Sequence, residues 1–553
     1  MTKFADILNS HSHKSNNMFN INAAILSVLN LKRFTRKHKL EKLRSIWGLP
    51  LERIPNFDLI KNYHELVCKD SGDDYVDDKT WADLNLNDVY SVIDRNISGP
   101  GRQYLYHLLH KYEQNDEILN KRYKQINLFK ENRAVREKIQ LALLRIRSDD
   151  TYFIISLLLG EKPVIPKYPL LIYLSSALSV LSILAAFYNS TFFFAVLFMS
   201  VLNLIITKTY SSGIAESFIG FSNLKKLIVS AYELSNMVTE SEIEQLSVLK
   251  EHSGILKKLN KKVSHLVIDK TQLDAFAQIV IEYLNMFCLF DLVAYTKSVI
   301  ELYRYKAELK EVFDAVASLD AHISIASYIS SIPFYSKPEF ISGNAISFDE
   351  VYHPLLDEAV PNSIIGLSRS ALITGSNMAG KTTFIKCIGV NIILSQTLGF
   401  TLSKRAVIPK LIVKSSIKIE DSIENSKSYY FAEVEEIQKF IRLSKTGKKY
   451  LFIIDEIFRG TNTVERLGIS AAVLKQLSDS NLVLVTTHDI ELQDLLNNSF
   501  SMYHFNEQVE GEKYYFDFRI KEGPCSSGNA IKLLELMGYP EQITTEAKRS
   551  AAK

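Results

Sequence analysis

The residues with the clearest chemical meaning follow a short apolar segment at positions 371–374. A glycine-rich loop comes next and leads into an apolar helical pattern, and this order of strand, loop and helix is typical of a phosphate-binding loop. Its backbone N–H groups would face phosphates at the start of a helix. We expect Lys381 to neutralise β- and γ-phosphate oxygens and Thr382 to offer its hydroxyl to Mg²⁺. The predicted nucleotide-binding residues are Gly375, Ser376, Asn377, Met378, Ala379, Gly380, Lys381, Thr382 and Thr383.

A pair of carboxylates follows a second apolar segment. Residues 450–454 form a continuous apolar run, typical of a buried parallel strand, and the run ends at Asp455 and Glu456. Such folds bind ligands at the carboxyl edge of the sheet. We therefore expect Asp455 to hold Mg²⁺, directly or through water, and Glu456 to orient and deprotonate the attacking water. Alone, the pair would more often cap a helix, but the loop upstream favours catalysis.

A histidine stands at the end of a third apolar segment. Residues 482–485 lead through two threonines to His488 and Asp489. A single histidine is more often structural, but this one follows the next strand end after the carboxylate pair. We therefore predict that His488 senses the γ-phosphate. Together the three segments predict an ATPase that uses ATP and Mg²⁺, with Glu456 and His488 in catalysis.

The composition limits the other classes of protein. The chain has 553 residues, is 47% hydrophobic and carries a net charge of +3, so bulk charge argues neither for nor against a nucleic-acid partner. The four cysteines, at positions 68, 288, 387 and 525, are far apart in the sequence. Their spacing matches neither a disulfide framework nor a zinc site, so we expect a reduced, cytosolic setting and no zinc.

Two long apolar runs interrupt the middle of the chain. Residues 168–188 contain no charged side chain, and neither do residues 191–207. As helices they would measure about 31 Å and about 26 Å, close to the thickness of a hydrocarbon core. Lysines at positions 162, 167 and 208 flank the pair, which favours a hairpin with both ends in the cytoplasm. We predict a two-pass anchor in the inner membrane over residues 168–207, rather than two buried core helices.

The remaining segments differ in their hydrophobic pattern. Apolar residues recur at three- and four-residue spacing on both sides of the hairpin, which predicts helices, whereas the C-terminal part has short apolar runs, each followed by a helical pattern. Residues 283–294 are interrupted by Asp291, so we predict a core helix there and not a third span. The predicted divisions are an N-terminal segment of unclear role (1–80), two helical core parts (81–160 and 211–338), the hairpin (161–210) and an ATPase domain (339–553).

These motifs together resemble one family, the MutS proteins. The loop at 375–383 resembles the MutS phosphate loop, in which the Asn-Met pair is distinctive. Five further segments carry the resemblance: the lead-in at 351–354 and 360–362, the Walker B segment with its following loop at 455–463, the switch histidine at 487–488, the C-terminal signature at 523–540, and, more faintly, the start of the helical lever at 93–105.

The resemblance implies an ATPase of the ABC class that works as a head-to-tail homodimer, in which the partner's signature loop closes over each nucleotide. The matching loop here is residues 421–433, with Ser428 at the position of the family's serine that acts across the dimer. The loop departs from the family pattern, because Ser426 stands where the family has glycine and two tyrosines, 429 and 430, replace threonine-phenylalanine.

Other departures concern the base and the upstream domains. Ala359 occupies the position where an aromatic residue would stack on adenine, so the base is expected to be held differently, with Phe518 as one candidate. Only about eighty residues precede the levers, which leaves no room for the family's mismatch-reading and connector domains. The apolar hairpin lies where the family's DNA-gripping clamp would be inserted.

The sequence as a whole therefore predicts an α-helical lever, or core, domain with an inserted transmembrane helical hairpin, followed by an α/β P-loop ATPase domain. Two functions remain open. By resemblance the first is ATP-dependent binding of DNA, related to mismatch repair or recombination, and basic patches at 33–39 and 257–262 favour it. The alternative is a membrane-tethered mechanical ATPase whose levers act on a protein or lipid partner without DNA.

Overall fold

The computed structural model describes residues 36–69, 74–160, 168–237, 243–263, 283, 287–376, 379–417, 429–458, 462–510, 513–525 and 538–551. The chain divides into two compact units, Met1–Trp47 and Gly48–Lys553. In the first unit, residues 36–45 are helical. All elements named below belong to the second unit.

Between Phe57 and Ile329 the described residues are mainly helical. The helices are α1 Phe57–Ile60, α2 Asn62–Cys68, α3 Asp78–Asp83, α4 Leu86–Ile93, α5 Gly99–His110, α6 Asp116–Glu131, α7 Arg133–Leu143, α8 Phe153–Leu159, α9 Pro169–Tyr188, α10 Phe193–Ser235, α11 Glu244–Glu251, α12 Ser253–Val263, α13 Phe290–Arg304 and α14 Lys306–Ile329. Single 3-10 turns cover Leu144–Ile146, Asp149–Tyr152 and Ser190–Phe192.

Helix α14 is the centre of this helical body, because it is buried along almost its whole length and packs against α5, α6 and α11. Asp320 on α14 accepts hydrogen bonds from the backbone N–H groups of Ile97 at 3.1 Å and Ser98 at 2.7 Å. A Cβ on Gly101 would lie 2.3 Å from an Asp320 carboxylate oxygen, so only glycine allows this approach. Burial raises the pKa of Asp320 to about 6. Residues 98–101, at the start of α5, therefore form the docking point between α5 and α14.

Helices α9 and α10 form a hairpin with polar side chains in its seam. Asn203 on α10 is fully buried, accepts a hydrogen bond from Ser175 Oγ at 2.6 Å and donates one to Ser179 Oγ at 2.8 Å. Large apolar side chains on the outer faces are exposed: Leu170, Leu171, Leu174, Leu178, Leu181, Leu184, Phe187, Phe193, Phe194, Leu197, Phe198, Val201 and Ile205. An apolar exterior around a polar seam is the reverse of helix pairs in water-soluble cores.

Within the part of the chain that the structure describes, three helices are long and apolar enough to cross a membrane by length and composition: Pro169–Tyr188, Ser190–Thr209 and Lys306–Ile329. The third is α14, which the body buries. The second apolar run ends near residue 207, but the helix that contains it, α10, continues without a break to Ser235. Of the segment 283–294, residues 284–286 lie outside the described residues, and the part from Phe290 onward belongs to α13.

The C-terminal part is α/β. Its strands are β1 Glu339–Ile341, β2 Ile346–Val351, β3 Asn362–Leu367, β4 Ser370–Thr374, β5 Arg405–Pro409, β6 Ile412–Ser416, β7 Tyr450–Asp455, β8 Leu482–Thr487, β9 Phe500–Glu510 and β10 Lys513–Glu522. Its helices are α15 Lys381–Thr397, α16 Tyr429–Leu443, α17 Thr463–Ser478, α18 Glu491–Leu496 and α19 Glu541–Ala551.

The strands form two sheets. The smaller has the order β1-β5-β2-β3, and the larger has the order β10-β9-β4-β8-β7-β6 with all neighbours parallel except β10 and β9. Helix α15 packs on β7 and β8 and also on α5. A Cβ on Gly389 would lie 2.5 Å from Ile453 and 3.2 Å from Leu84, so this glycine lets the sheet and the helical body meet on one helix. The predicted combination of a helical domain with an α/β domain is confirmed.

Candidate nucleotide-binding site

The strand order brings the three predicted motifs together. Strand β8 lies between β4 and β7 and pairs in parallel with both, so their carboxyl ends meet at one sheet edge. The phosphate loop follows β4, the carboxylates follow β7, and His488 follows β8. His488 is therefore positioned between the other two motifs, which the order along the chain did not reveal.

The phosphate loop depends on two glycines. Gly375 has φ +138°, and a Cβ there would lie 2.6 Å from the carbonyl oxygen of Phe505. Gly380 precedes α15 and has φ +98°, in the left-handed region that side chains disfavour. Both glycines are thus required by the backbone itself. Asn377 and Met378 lie outside the described residues.

Lys381 and Ser376 give the loop its polar interior. The Lys381 ammonium is buried and donates to the carbonyl oxygens of Gly375 at 2.6 Å and Ser376 at 2.8 Å. Ser376 Oγ is buried and has no hydrogen-bond partner among the described residues. A buried hydroxyl of this kind needs an acceptor or donor. The loop therefore fits an anionic ligand such as the phosphates of ATP.

A carboxylate and two hydroxyls face each other beside the loop. Thr382 Oγ1 lies 3.0 Å from both carboxylate oxygens of Asp455, and Thr486 Oγ1 donates to Asp455 Oδ1. A carboxylate and a hydroxyl are oxygen ligands of the kind that Mg²⁺ prefers. Thr382 and Asp455 are therefore placed to hold a magnesium ion, and that role stays a prediction. Thr486 was missed as a site residue, although it is a polar residue ending an apolar strand.

Glu456 and His488 are in direct contact. His488 Nε2 lies 3.0 Å from Glu456 Oε1 and 3.4 Å from Lys381 Nζ. Because a carboxylate only accepts and an ammonium only donates hydrogen bonds, His488 donates to Glu456 when Nε2 carries a proton and accepts from Lys381 when it does not. Glu456 itself has φ +56°, and its backbone N–H donates to the carbonyl oxygen of Thr486 at 3.0 Å. The predicted base, histidine and lysine thus form one cluster; their catalytic roles stay predictions.

Two supporting contacts were not foreseen. Arg466 on α17 makes a two-pronged ion pair with Asp489, with N···O distances of 2.9 and 2.7 Å, and so anchors the residue next to His488. The buried Glu433 accepts a hydrogen bond from the backbone N–H of Phe458, which ties the end of the predicted signature loop to the segment after the carboxylates. Ser428 and residues 418–427 lie outside the described residues.

An aromatic side chain stands where the base of a nucleotide could stack. Strand β10 has an irregular register between Phe516 and Ile520, and Phe518 within it has φ +52° and is 43% exposed. Asn362 holds this bulge, because its amide donates to the carbonyl oxygen of Phe518 at 2.9 Å and accepts from the N–H of Ile520 at 2.8 Å. Phe518 lies beside the phosphate loop, 3.4 Å from the position of a Cβ on Gly380.

We expect Phe518→Ala to weaken ATP binding about tenfold, because stacking on a base contributes about 1–3 kcal/mol. Equilibrium titration with ATP measures this change. Tyr515→Ala, which removes another exposed aromatic side chain from the same strand, is the matched control and should leave the affinity within about twofold. Equal affinities for both variants would mean that Phe518 does not hold the base.

The lead-in motif at 351–354 is structural, whereas residues 526–537 of the C-terminal signature lie outside the described residues. His353 is buried, and its Nδ1 accepts a hydrogen bond from the N–H of Leu355 at 3.3 Å. Burial, aided by the positive charge of Lys386, lowers the pKa of His353 to about 4. Tyr352 donates its hydroxyl to the carbonyl oxygen of Phe334 at 2.7 Å. These residues fix the path of the chain that leads to Asn362.

These features define the class of P-loop nucleotide-binding domains. The glycine loop leads from a parallel strand into a helix, the lysine beside it is buried, and a hydroxyl faces a carboxylate at the same sheet edge. Residues 371–553 also match the family model of MutS domain V. The resemblance to the MutS family is thereby confirmed for this part of the chain.

Similar proteins extend this result. The chain is 29% identical over 267 residues to a DNA mismatch repair protein MutS from Aquifex pyrophilus, covering 45% of this chain and 31% of that protein. The protein of the same name from Caldicellulosiruptor saccharolyticus is 29% identical, with 46% and 31% covered. That from Thermus thermophilus is 26% identical, with 44% and 30% covered. The match thus spans only about a third of the length of these relatives.

Proposed function

We propose that this protein is a Mg²⁺-dependent ATPase of the MutS type. The observation that carries the proposal is the meeting of Lys381, His488 and Glu456 at one sheet edge, beside the Thr382–Asp455 pair. A phosphate loop alone would support binding, whereas a carboxylate within reach of the same pocket supports hydrolysis. The relatives are named mismatch repair proteins, which supports the family but does not fix the substrate of this chain.

Each residue has a defined task in this proposal. Lys381 and the loop N–H groups bind and orient the phosphates, and Glu456 holds the attacking water and takes its proton. His488 orients the Glu456 carboxylate through the Nε2–H bond and lies close to Lys381, so it can respond to the γ-phosphate. Thr382 and Asp455 would hold Mg²⁺, which supplies positive charge for the phosphates.

Phosphate release by the detergent-purified full chain tests the proposal. We expect turnover with Mg²⁺ and loss of turnover when the ion is chelated. Asp455→Asn should require a higher Mg²⁺ concentration for half-maximal rate, because it removes one negative charge from the ion site. A phosphate-release rate that neither chelation nor Asp455→Asn changes would contradict the assignment of the ATPase site. The source of the released phosphate would then be a contaminant.

We further propose that two chains form the complete enzyme, with Ser428 contacting the nucleotide of the partner. Ser428→Ala should then slow hydrolysis while ATP binding is kept, and Lys381→Ala should lose binding. Mixed dimers of the two inactive variants contain one site with both groups intact, so they should recover part of the activity. Absence of recovery in mixed dimers that demonstrably form would contradict a role across the dimer.

We also propose that α9 and the first part of α10 anchor the protein in the inner membrane with the ATPase domain in the cytoplasm. The exposed leucine and phenylalanine side chains on the outer faces support this anchor. Exposing these side chains to water has a high free-energy cost, whereas contact with lipid does not. The seam of Asn203, Ser175 and Ser179 supports it as well, since polar residues in lipid bond to each other between helices.

The anchor can be tested at Leu178, which lies near the middle of α9 and is 52% exposed. An arginine at the centre of a membrane helix costs about 2.5–3.5 kcal/mol on insertion, so Leu178→Arg should shift protein out of the membrane fraction. Ser190→Arg, in the turn between the helices, is the control and should insert normally. If Leu178→Arg and Ser190→Arg both fractionate as wild type, the outer face of α9 is not in lipid.

The action driven by ATP has two candidates. The names of the relatives and the lysines of α12 favour ATP-dependent DNA binding. The unbroken helix α10, about 65 Å long, favours a mechanical role, because it connects the hairpin rigidly to the helical body. There Ser230 Oγ donates to the carbonyl oxygen of Ala142 at 2.9 Å and Arg145 pairs with Glu233.

Salt dependence separates the two candidates. Phosphate contacts release counterions, so DNA binding by the detergent-purified chain should weaken steeply between low and physiological salt if DNA is the target. Binding should also differ with and without ATP. If no salt-dependent DNA binding is seen in either state, the mechanical role on a protein or lipid partner is retained.

A further inference from the structure

A cluster of two histidines and a cysteine lies outside the nucleotide site. His64 and Cys68 are four residues apart on α2 and thus share one face of that helix, and His107 lies on α5. The distance between His64 Nδ1 and His107 Nδ1 is 3.1 Å, and Cys68 Sγ lies 3.3 and 3.4 Å from the two ring nitrogens of His64. One ligand atom from each residue lies within 4.8 Å of those of the other two.

These separations fit a tetrahedral metal ion. Zinc binds nitrogen at about 2.0–2.1 Å and sulfur at about 2.3 Å, so two nitrogen ligands lie about 3.3 Å apart and nitrogen and sulfur about 3.5 Å apart. The observed N···N and S···N distances, 3.1 and 3.3 Å, are within about 0.2 Å of these values. Because Sγ also lies 3.4 Å from Nε2, a rotation of the Cys68 side chain toward the Nδ1 side of His64 would bring the three ligand atoms onto one ion.

The surroundings of the cluster orient the rings and leave a path for entry. His110 stacks on Trp81 at 3.6 Å between ring centroids, lies 4.2 Å from the ring of His64, and donates its Nδ1–H to the carbonyl oxygen of Tyr106. His107 is buried, whereas His64 and Cys68 are partly exposed. Packed neighbours of this kind fix the ring orientation of metal ligands.

We propose that His64, Cys68 and His107 bind one zinc ion, with the fourth tetrahedral position taken by water or an external ligand. The competing arrangement is a hydrogen bond between the two Nδ1 atoms with no ion. In that arrangement Cys68 Sγ lies 3.3 and 3.4 Å from the two ring nitrogens of His64. A shared ion instead gives all three residues one common partner.

The ion would have a structural effect on the ATPase domain. It would join α2 to α5, and α5 packs against the central helix α14 and against α15, which begins at the phosphate loop. The sequence pattern did not indicate zinc, because only one ligand is a cysteine and the third ligand is 39 positions after Cys68. The site is therefore formed by the packing of two helices and not by a local motif.

Zinc binding to the full chain tests the proposal. Protein purified in detergent and stripped with a chelator should bind one Zn²⁺ ion per chain in a competition titration with Zn²⁺ alone. Cys68→Ser and His107→Gln should each weaken binding at least about tenfold. Cys525→Ser, which removes a partly buried thiol outside the cluster, should leave the affinity unchanged. Equal affinities for wild type, Cys68→Ser and His107→Gln would overturn the proposal.

A second measurement uses the unaltered protein, so it does not depend on how the variants fold. Zn²⁺ should slow alkylation of Cys68 at least about tenfold and leave that of Cys525 unchanged, because a metal-bound thiolate is a poor nucleophile. Mass spectrometry of the two cysteine peptides gives both rates from one sample. Alkylation of Cys68 at the same rate with and without Zn²⁺ would equally overturn the proposal.

Discussion

Lys381→Ala is expected to weaken ATP binding by about 30- to 700-fold. The lysine ammonium is buried in the phosphate loop, where hydrogen bonds from a charged donor to phosphate oxygens are stronger than neutral ones. A loss of about 2–4 kcal/mol corresponds to that range of dissociation constants. Equilibrium titration with a fluorescent ATP analogue measures the change, with the melting temperature recorded to confirm that the variant is folded.

Lys386→Ala is the matched control for this change. Lys386 lies on the same helix, but its ammonium donates to Asn85 Oδ1 at 2.8 Å instead of to the loop. The control removes the same charge and should alter ATP affinity by no more than about twofold. If the Lys381→Ala protein is folded and binds ATP as tightly as Lys386→Ala, phosphate is not bound by Lys381.

Glu456→Gln is expected to slow hydrolysis about 100- to 10,000-fold while ATP binding is retained. General-base catalysis contributes rate enhancements of this size, and an amide cannot take the proton of water. Glutamine has the same length and can still accept the hydrogen bond from His488 Nε2, so the local geometry should persist. The variant should therefore accumulate in the ATP-bound, closed dimer.

Single-turnover kinetics separate binding from the chemical step in this experiment. Glu465→Gln on α17 serves as the control, because it neutralises an exposed carboxylate. The backbone N–H of Glu465 donates to Asn462 Oδ1 and not to the nucleotide site. It should hydrolyse ATP at about the wild-type rate. A Glu456→Gln protein with an unchanged single-turnover rate would show that another group activates the water.

The sequence by itself determined the phosphate loop, because most requirements of that loop are local. Gly375 and Gly380 must adopt positive φ values within a stretch of six residues, and Lys381 follows directly. The apolar runs that end at Asp455 and at Thr487 likewise end as strands at the same edge of one sheet. Hydrophobic periodicity and the positions of glycine and proline predict such short segments well, since the contacts that stabilise these segments are close along the chain.

The hairpin was foreseen in part. Length and lack of charge predicted two apolar helices, and α9 ends at Tyr188 as expected. The apolar pattern did not show that the helix of the second run continues past Lys208 into the body; lysine and threonine do not break a helix, so α10 extends to Ser235. Its polar seam, in which Asn203 bridges Ser175 and Ser179, depends on how two helices rotate against each other.

Only the tertiary structure decided which distant residues meet. The order β4-β8-β7 brings His488 between Lys381 and Glu456, and the opposite placement of β8 would have separated them with the same local sequence. The bulge at Phe518 depends on Asn362, 156 positions away. Such contacts result from strand order and helix packing, which arise from many small burial energies spread over the whole chain and leave no local pattern.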